Sequence, residues 1–484
     1  MSIAVKAPAA GRQPGIFLMP AEVVGVNDAD EPSANDEVRL NASPFLADGP
    51  DPENQIDHQH IYEQVDTPMN GAAILSYRGG SGATYADFDT VSRIADDRPG
   101  VATLPPLSDP AADHADDQVA RRRADIDEKH KKIIAFLNEN MYDAVVLARS
   151  DSISWFTSGA DIGRDMGGDS GAVLIFINRN SRAVIADNVQ SARVFEEELA
   201  GLGFQLKERP WHEGPERVVA ELSSSRKIAT DNGLLGMTNE LEKLRGLRLS
   251  LSRIERRRLR DLGWTLAGAV ESTCRNFHPG ETEADIAGHL SHRLIREGVV
   301  PVSLRIAGDD RLDRYRQPTF KAARIERHAV ITATGRRYGL CATATRVVTF
   351  GKSDKSFRSA HAIACMVDAT YIFFSRPGQI VSEVFRRARR IMEKYGKPHE
   401  WTLDYTGYVT GYSPREALLL PESDMTLDEH VAVAWSPSIG STRSGDTAII
   451  NDRGYEVVTP AQNWPKVEVL VKGYTVERPG ILER

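Results

Sequence analysis

Residues 406–416 read Thr406-Gly407-Tyr408-Val409-Thr410-Gly411-Tyr412-Ser413-Pro414-Arg415-Glu416. Two glycines four apart frame a segment that carries two phenols, a guanidinium and a carboxylate. A phenol donates to a developing oxyanion, or acts as a general acid when neighbouring cations lower its pKa, and arginine clamps a carboxylate with two hydrogen bonds. Two segments of similar texture stand on either side: Arg336-Arg-Tyr-Gly-Leu-Cys-Ala-Thr-Ala-Thr-Arg346 upstream and Trp435-Ser-Pro-Ser-Ile-Gly-Ser-Thr-Arg-Ser-Gly-Asp-Thr447 downstream.

Outward from these segments, the 484-residue chain is long enough for two or three folding units. Its 41% hydrophobic and 26% charged residues are those of a globular protein. Apolar runs such as Ala144–Leu147 and Ala172–Ile177 are far shorter than a membrane span of roughly 20 residues. The opening segment does not read as a secretory signal. Three cysteines (Cys274, Cys341 and Cys365) without a CxxC pair argue against a disulfide framework or a thiolate zinc site. A reducing cytoplasm is the expected setting. Residues 1–118 hold 6 Lys/Arg against 20 Asp/Glu, whereas the remainder holds 54 against 48. An acidic arm on a mildly basic body offers no nucleic-acid patch.

Residues 1–118 are rich in Ala, Asp, Pro, Gly and Ser and predict a largely disordered leader, with docking islands such as Gly71–Tyr77 and a small accessory element as the rival reading. From Gln118 to Met141 apolar positions recur at helical spacing, and strands and helices then alternate to about Ser250, predicting an N-terminal α/β domain over 119–249. A long helix over Leu251–Phe277 opens the second half. Helices over Ile286–Glu297, Ser356–Phe374 and Val381–Tyr395 are expected to back strands at Val299–Ile306, His328–Thr334, Tyr338–Thr349 and Val431–Val458. A Gly335-Arg336-Arg337 turn is placed between the second and third of these strands. The half from 250 to 484 therefore reads as α+β with a curved antiparallel sheet.

The three segments, in this order and spacing, resemble successive motifs of the creatinase, prolidase and aminopeptidase P superfamily. The resemblance spans roughly residues 118–470 and includes Trp155-Phe-Thr-Ser-Gly159 and the Pro377-Gly378 step. It implies a creatinase-type N-terminal α/β domain followed by a pita-bread domain, a homodimer, and a small amino-acid-like or peptide substrate. In the metallopeptidase members two Asp, one His and two Glu hold a pair of divalent cations that activate water. Carried onto this sequence, those positions fall on Ala333, Thr343, Tyr408, Ser436 and Gly445. The family's His-x-x-Pro-Thr appears as Tyr315-Arg316-Gln317-Pro318-Thr319, and its second cleft histidine as Arg415. Hard cations need anionic oxygen ligands, so neither a metal nor another cofactor is expected.

Framework positions persist at Tyr338, Gly339, Thr345, Arg346, Gly407, Gly411, Glu416, Asp446 and Thr447. The resemblance thus implies a metal-independent branch. Tyr408, Arg415, Tyr315 and Glu416 are its candidate catalytic residues, and Arg346, Tyr338, Tyr412 and Trp155 its candidate substrate-binding residues. Three readings stand: an enzyme performing C–N hydrolysis or a related elimination or cyclisation, a pseudopeptidase that kept the cleft for binding or scaffolding, and, as a minor third, a metallopeptidase whose ligands fall on other positions than those aligned. Tyrosines refilling vacated space and structural ion pairs explain the same residues without function. Cys341 shows no base to activate it, and Asp285, His289 and His292 read as the wet face of a helix.

Overall fold

The computed structural model describes residues 115–163 and 166–484. The expected leader, including the island at 71–77, lies outside them except for its last four residues. Helix α1 (Ala115–Glu139) buries Ile126, Ile133, Phe136 and Leu137 against a six-stranded sheet. The strands of this sheet are β1 (Ala144–Arg149), β2 (Ser170–Asn178), β3 (Arg182–Asp187), β4 (Gln205–Arg209), β5 (Ile228–Thr230) and β6 (Thr238–Asn239), in the order β4-β3-β2-β1-β5-β6. The β1–β2 and β2–β3 pairs are antiparallel, whereas β3–β4, β1–β5 and β5–β6 are parallel. Short helices α2 (Ser150–Phe156), α3 (Glu216–Ser223) and α4 (Leu241–Gly246) complete the layer. Between β3 and β4 the chain forms a wide π-type stretch, Arg193–Glu198.

Helix α5 (Arg253–Asn276) starts at a capping box in which the Ser252 hydroxyl and the Glu255 carboxylate satisfy each other's backbone N–H. Its apolar face covers β8 (His328–Arg337) and β9 (Leu340–Thr349), and α6 (Glu283–Arg296) packs beside it over β7 (Val300–Gly308). A short helix, α7 (Asp310–Arg314), follows β7. A four-stranded sheet results, in the order β21-β9-β8-β7, with the chain's last strand β21 (Ile481–Glu483) parallel to β9. One hydrophobic core runs from α1 through α5 to this sheet.

A second core lies between helices α8 (Lys355–Phe374) and α9 (Val381–Lys394) and another antiparallel sheet. Its strands are β12 (Ala417–Leu418), β11 (Gly407–Thr410), β14 (Ala432–Trp435), β17 (Asp446–Asn451) and β18 (Gly454–Val457), in that order. Short pairs extend this half: β10 (Gln379–Ile380) with β13 (Thr426–Leu427), the hairpin β15 (Ser438–Ile439) to β16 (Thr442–Arg443), and β19 (Lys466–Val471) with β20 (Tyr474–Pro479). The strands beyond Val458 have no counterpart in the sequence reading. The two sheets join where β9 meets β11 and β17, through Cys341 N–H to Gly411 O, Thr345 N–H to Gly445 O, and Thr343 N–H to the Thr447 hydroxyl. Helix pairs thus enclose a curved sheet from both sides. No helix among the described residues is long and apolar enough to cross a membrane.

Candidate functional site: an arginine and tyrosine cleft

Strand alternation decides what faces the cleft. On β8 the side chains of Ala329, Ile331 and Ala333 enter the core under α5, leaving Thr332 and Thr334 on the other face. On β9, Ala342 and Ala344 are core, and Thr343 and Thr345 share the face of the β8 threonines. Register pairs Thr334 with Thr343 and Thr332 with Thr345, and their hydroxyls meet at 2.8 and 2.9 Å. The expected turn at Gly335–Arg337 is corrected here. β8 continues to Arg337 and reverses at Tyr338-Gly339, both with positive φ (54° and 75°), the signature of a two-residue type I′ hairpin. The assignment of the first aspartate position to Ala333 moves with it: the cleft-facing residue opposite Thr343 is Thr334.

Tyr408 projects from β11 toward β9 and donates its hydroxyl to Thr343 Oγ1 at 3.1 Å, whereas Val409 beside it belongs to the second core. Gly407 is required by the neighbouring strand, since a Cβ there would lie 2.3 Å from Trp435 Cε3. Trp435 itself is stacked on Tyr371, with ring centroids 4.1 Å apart. Ser436, at one glutamate position, receives Arg443 Nη1 on its hydroxyl at 3.1 Å and on its carbonyl at 2.8 Å. Gly445, at the other glutamate position, is closed in. A Cβ would meet Trp435 O at 2.8 Å and Ser436 Oγ at 2.9 Å.

Cationic side chains surround these hydroxyls. Arg443 is buried and ion-paired with Asp404, and its Nη2 also donates to Arg316 O at 2.7 Å. Asp404 in turn accepts from Gln317, from the Ser438 hydroxyl at 2.9 Å and from its neighbour's backbone N–H. Arg316 pairs with Glu400 at 2.8 Å. Arg305, on β7, donates to Gln317 Oε1, and its buried Nε has no hydrogen-bond partner. Burial holds the Arg305 guanidinium below its ordinary pKa. Nearby Arg443 and Arg415 act in the same direction, while Tyr408 and Asp404 oppose it. A narrow slot of about 20 Å³ lies between Arg305, Tyr315, Arg316, Thr332 and Arg443. Among the described residues no group of three or more His, Cys, Asp or Glu is placed to hold a metal. Threonine, serine and tyrosine hydroxyls among fixed guanidinium groups do not fit a pair of hard divalent cations.

Of the eight expected site residues, three border this cleft. Tyr408 is buried within it, Tyr315 is half exposed on the slot, and Arg415 is exposed with its guanidinium 5.6 Å from the Tyr408 ring centre and 5.4 Å from that of Tyr405. The other five sit elsewhere. Glu416 is buried against Arg248 (2.7 and 2.9 Å), which also binds Asp151, so it ties the cleft turn to the N-terminal layer. Arg346 is fully buried, spending its donors on Glu271, Asp446, Thr345 O and Thr459 O. Tyr412 donates to Glu255 at 2.7 Å, and burial and that carboxylate push its phenol well above the ordinary value. Trp155 is a core residue beside Phe156. Tyr338 lies between Arg258 and Arg337, and with Tyr412 it lines a separate cavity of about 510 Å³ whose four arginines face four carboxylates.

Arg305, Arg443, Asp404 and Gln317 escaped the sequence reading. Arg443, Arg316 and Gln317 lie inside motifs already quoted, whose spacing assigns them no role; the signal for Arg305 is a lone charge between Leu304 and Ile306. Asp285 closes a capping box by accepting from the backbone N–H of the N-cap residue Thr282, and His289 lies 3.1 Å from Glu281 on the surface. Burial pushes the Cys341 thiol up to about 12, which leaves it inert at neutral pH.

A creatinase-type α/β layer followed by helix pairs around a curved sheet is the pita-bread fold. Residues 258–457 match metallopeptidase family M24. Among solved structures, prolidase from Pyrococcus horikoshii OT3 is similar over 69% of this chain and 99% of its own, with a TM-score of 0.60 and 20% identity. The X-Pro aminopeptidase of Thermotoga maritima MSB8 is similar over 74% and 100%, with a TM-score of 0.60 and 17% identity. The N-terminal domain of the FACT complex subunit SPT16 from Cicer arietinum follows over 71% and 96%, with a TM-score of 0.55 and 12% identity. No protein of curated function matches the sequence. At these identities the likeness is one of fold, shared by peptidases and by a subunit of a larger complex.

Proposed function

We propose that this chain is a metal-independent, peptidase-like protein that receives a small amino-acid-derived or peptide-like ligand in the Tyr408 cleft. The observation that carries the reading is the filling of the ligand positions: hydroxyls stand at Thr334, Thr343, Tyr408 and Ser436, Gly445 has no room for a side chain, and Arg443 donates directly to Ser436. Fixed guanidinium groups suit the ligand's carboxylate. Tyr408, flanked by cations, is the proton donor for C–N cleavage or for a related elimination or cyclisation. The protein acts in the cytoplasm as a homodimer.

A second reading, a pseudopeptidase that binds without turnover, is favoured by the state of the acids. Asp404 and Glu400 are both committed to arginines, which leaves no free carboxylate base beside Tyr408 among the described residues. A thermal-shift screen of EDTA-treated protein against amino acids, dipeptides and guanidino compounds, with product analysis of each hit, tests both. The enzyme reading expects turnover that falls about 10²-fold in Tyr408→Phe. Binding with no product, unchanged in that variant, supports the pseudopeptidase, and loss of every response on chelation overturns metal independence.

A further inference from the structure

Four arginines border the cleft, and they are not equivalent. Arg316 and Arg443 each have a carboxylate partner, Glu400 and Asp404. Arg305 and Arg415 have no carboxylate partner among the described residues. Arg305 hydrogen-bonds the neutral Gln317 and keeps a buried, unpartnered Nε, while Arg415 rests on the Tyr405 and Tyr408 rings. Both lie close enough to Tyr408 to interact with it, so the phenol lies near two guanidinium groups that have no ion-pair partner, with Asp404 acting on Arg305 only from beyond ion-pair distance. Holding like charges together in a partly dry cleft is unfavourable, and an anion bridging them relieves the cost.

We infer that the cleft is built for a dicarboxylate, with one carboxylate on Arg305 at the slot, the other on Arg415, and the body of the ligand across the Tyr408 hydroxyl. The inference rests on the proposed reading of this cleft as the ligand site. The number of charges follows from the two unpaired guanidinium groups. A carboxylate matches each guanidinium fork with two parallel hydrogen bonds, and inorganic phosphate is its competitor for these donors. Asp404 and Glu400 do not compete for the ligand's sites, because their partners are Arg443 and Arg316.

Titration calorimetry of the full chain with succinate, glutarate and adipate, against butyrate and inorganic phosphate, tests this. At least one dicarboxylate is expected to bind about tenfold or more tightly than butyrate, since it adds one charge-assisted contact. Arg305→Met and Arg415→Met are each expected to reduce that affinity to the butyrate level, with thermal unfolding confirming that both variants fold. The surface position of Arg415 keeps the second variant informative if the first fails to fold. Dicarboxylates no better than butyrate, a preference unchanged in the variants, or phosphate binding tighter than every dicarboxylate would each overturn the inference. Metal content separates this failure from that of the functional reading. A metal-loaded chain that prefers dicarboxylates sinks only the latter, and a metal-free chain that ignores them sinks only the former.

Discussion

Glu416 and Arg248 form one of the costliest contacts in the molecule to break. Arg248 is buried between Glu416 and Asp151, with Ser152 Oγ as a further partner at 3.0 Å. Arg248→Met leaves two buried carboxylates without their cation, and a loss of about 3–5 kcal/mol is expected by urea denaturation. Because Glu416 lies outside the cleft, Glu416→Gln is expected to lower stability while leaving ligand affinity intact. Loss of ligand affinity in a folded Glu416→Gln protein would return this residue to the site.

Asp368 offers a pH test at the same scale. Burial lifts its carboxyl to about 6, against the pull of Arg478 and the Ser444 hydroxyl. Its unfolded value is about 3.9. Between about pH 4 and 6 the folded chain therefore binds more protons at this site than the unfolded chain, and the group's contribution to stability falls as pH rises through that window. The stability difference between wild type and Asp368→Asn is expected to shift against the wild type by about 2 kcal/mol from pH 4 to pH 7. Denaturation curves across that range would show the opposite slope if Arg478 dominated instead.

At the scale of elements, the β8–β9 hairpin explains where sequence reasoning succeeds and where it stops. The alternation of Ala and Thr along both strands was legible, and it placed a β-hairpin in the right part of the chain. The position of its turn was not, because Gly335 looks like a turn residue but serves another purpose. A Cβ on Gly335 would lie 2.5 Å from Val299 Cγ1, so glycine is there for close packing under the helices. The real turn uses Tyr338 at positive φ, a conformation that non-glycine residues seldom adopt. Gly339 is the vulnerable member. Its φ is positive, and a Cβ would meet Ser154 at 2.6 Å and Tyr412 at 2.8 Å. Gly339→Ala is expected to cost roughly 1–3 kcal/mol in a thermal unfolding experiment, and a neutral result would contradict the turn assignment.

Across the whole molecule, the layers were readable because the long helices α1, α5, α6, α8 and α9 follow their periodicity, whereas the short helices α2, α4 and α7 had no counterpart in the sequence reading. The site was only half readable. Motif spacing located the cleft, and Tyr408, Arg415 and Tyr315 border it. Arg346, Glu416 and Tyr412 share those motifs yet turn toward Glu271, Arg248 and Glu255, partners 75 to 168 residues away that no local pattern reveals. Arg305 and Arg443 converge from strands on two different sheets, and only the fold brings them together. What results is a pita-bread cleft whose positive charge is carried by side chains, held in place by Asp404 and Glu400.

Metal analysis of the purified full-length chain, after incubation with manganese, cobalt or zinc and removal of free ions, tests this account most directly. Divalent ions well below one per chain, with unchanged thermal stability, are the predicted result. Two ions per chain, released by chelator with a fall in stability, would contradict it.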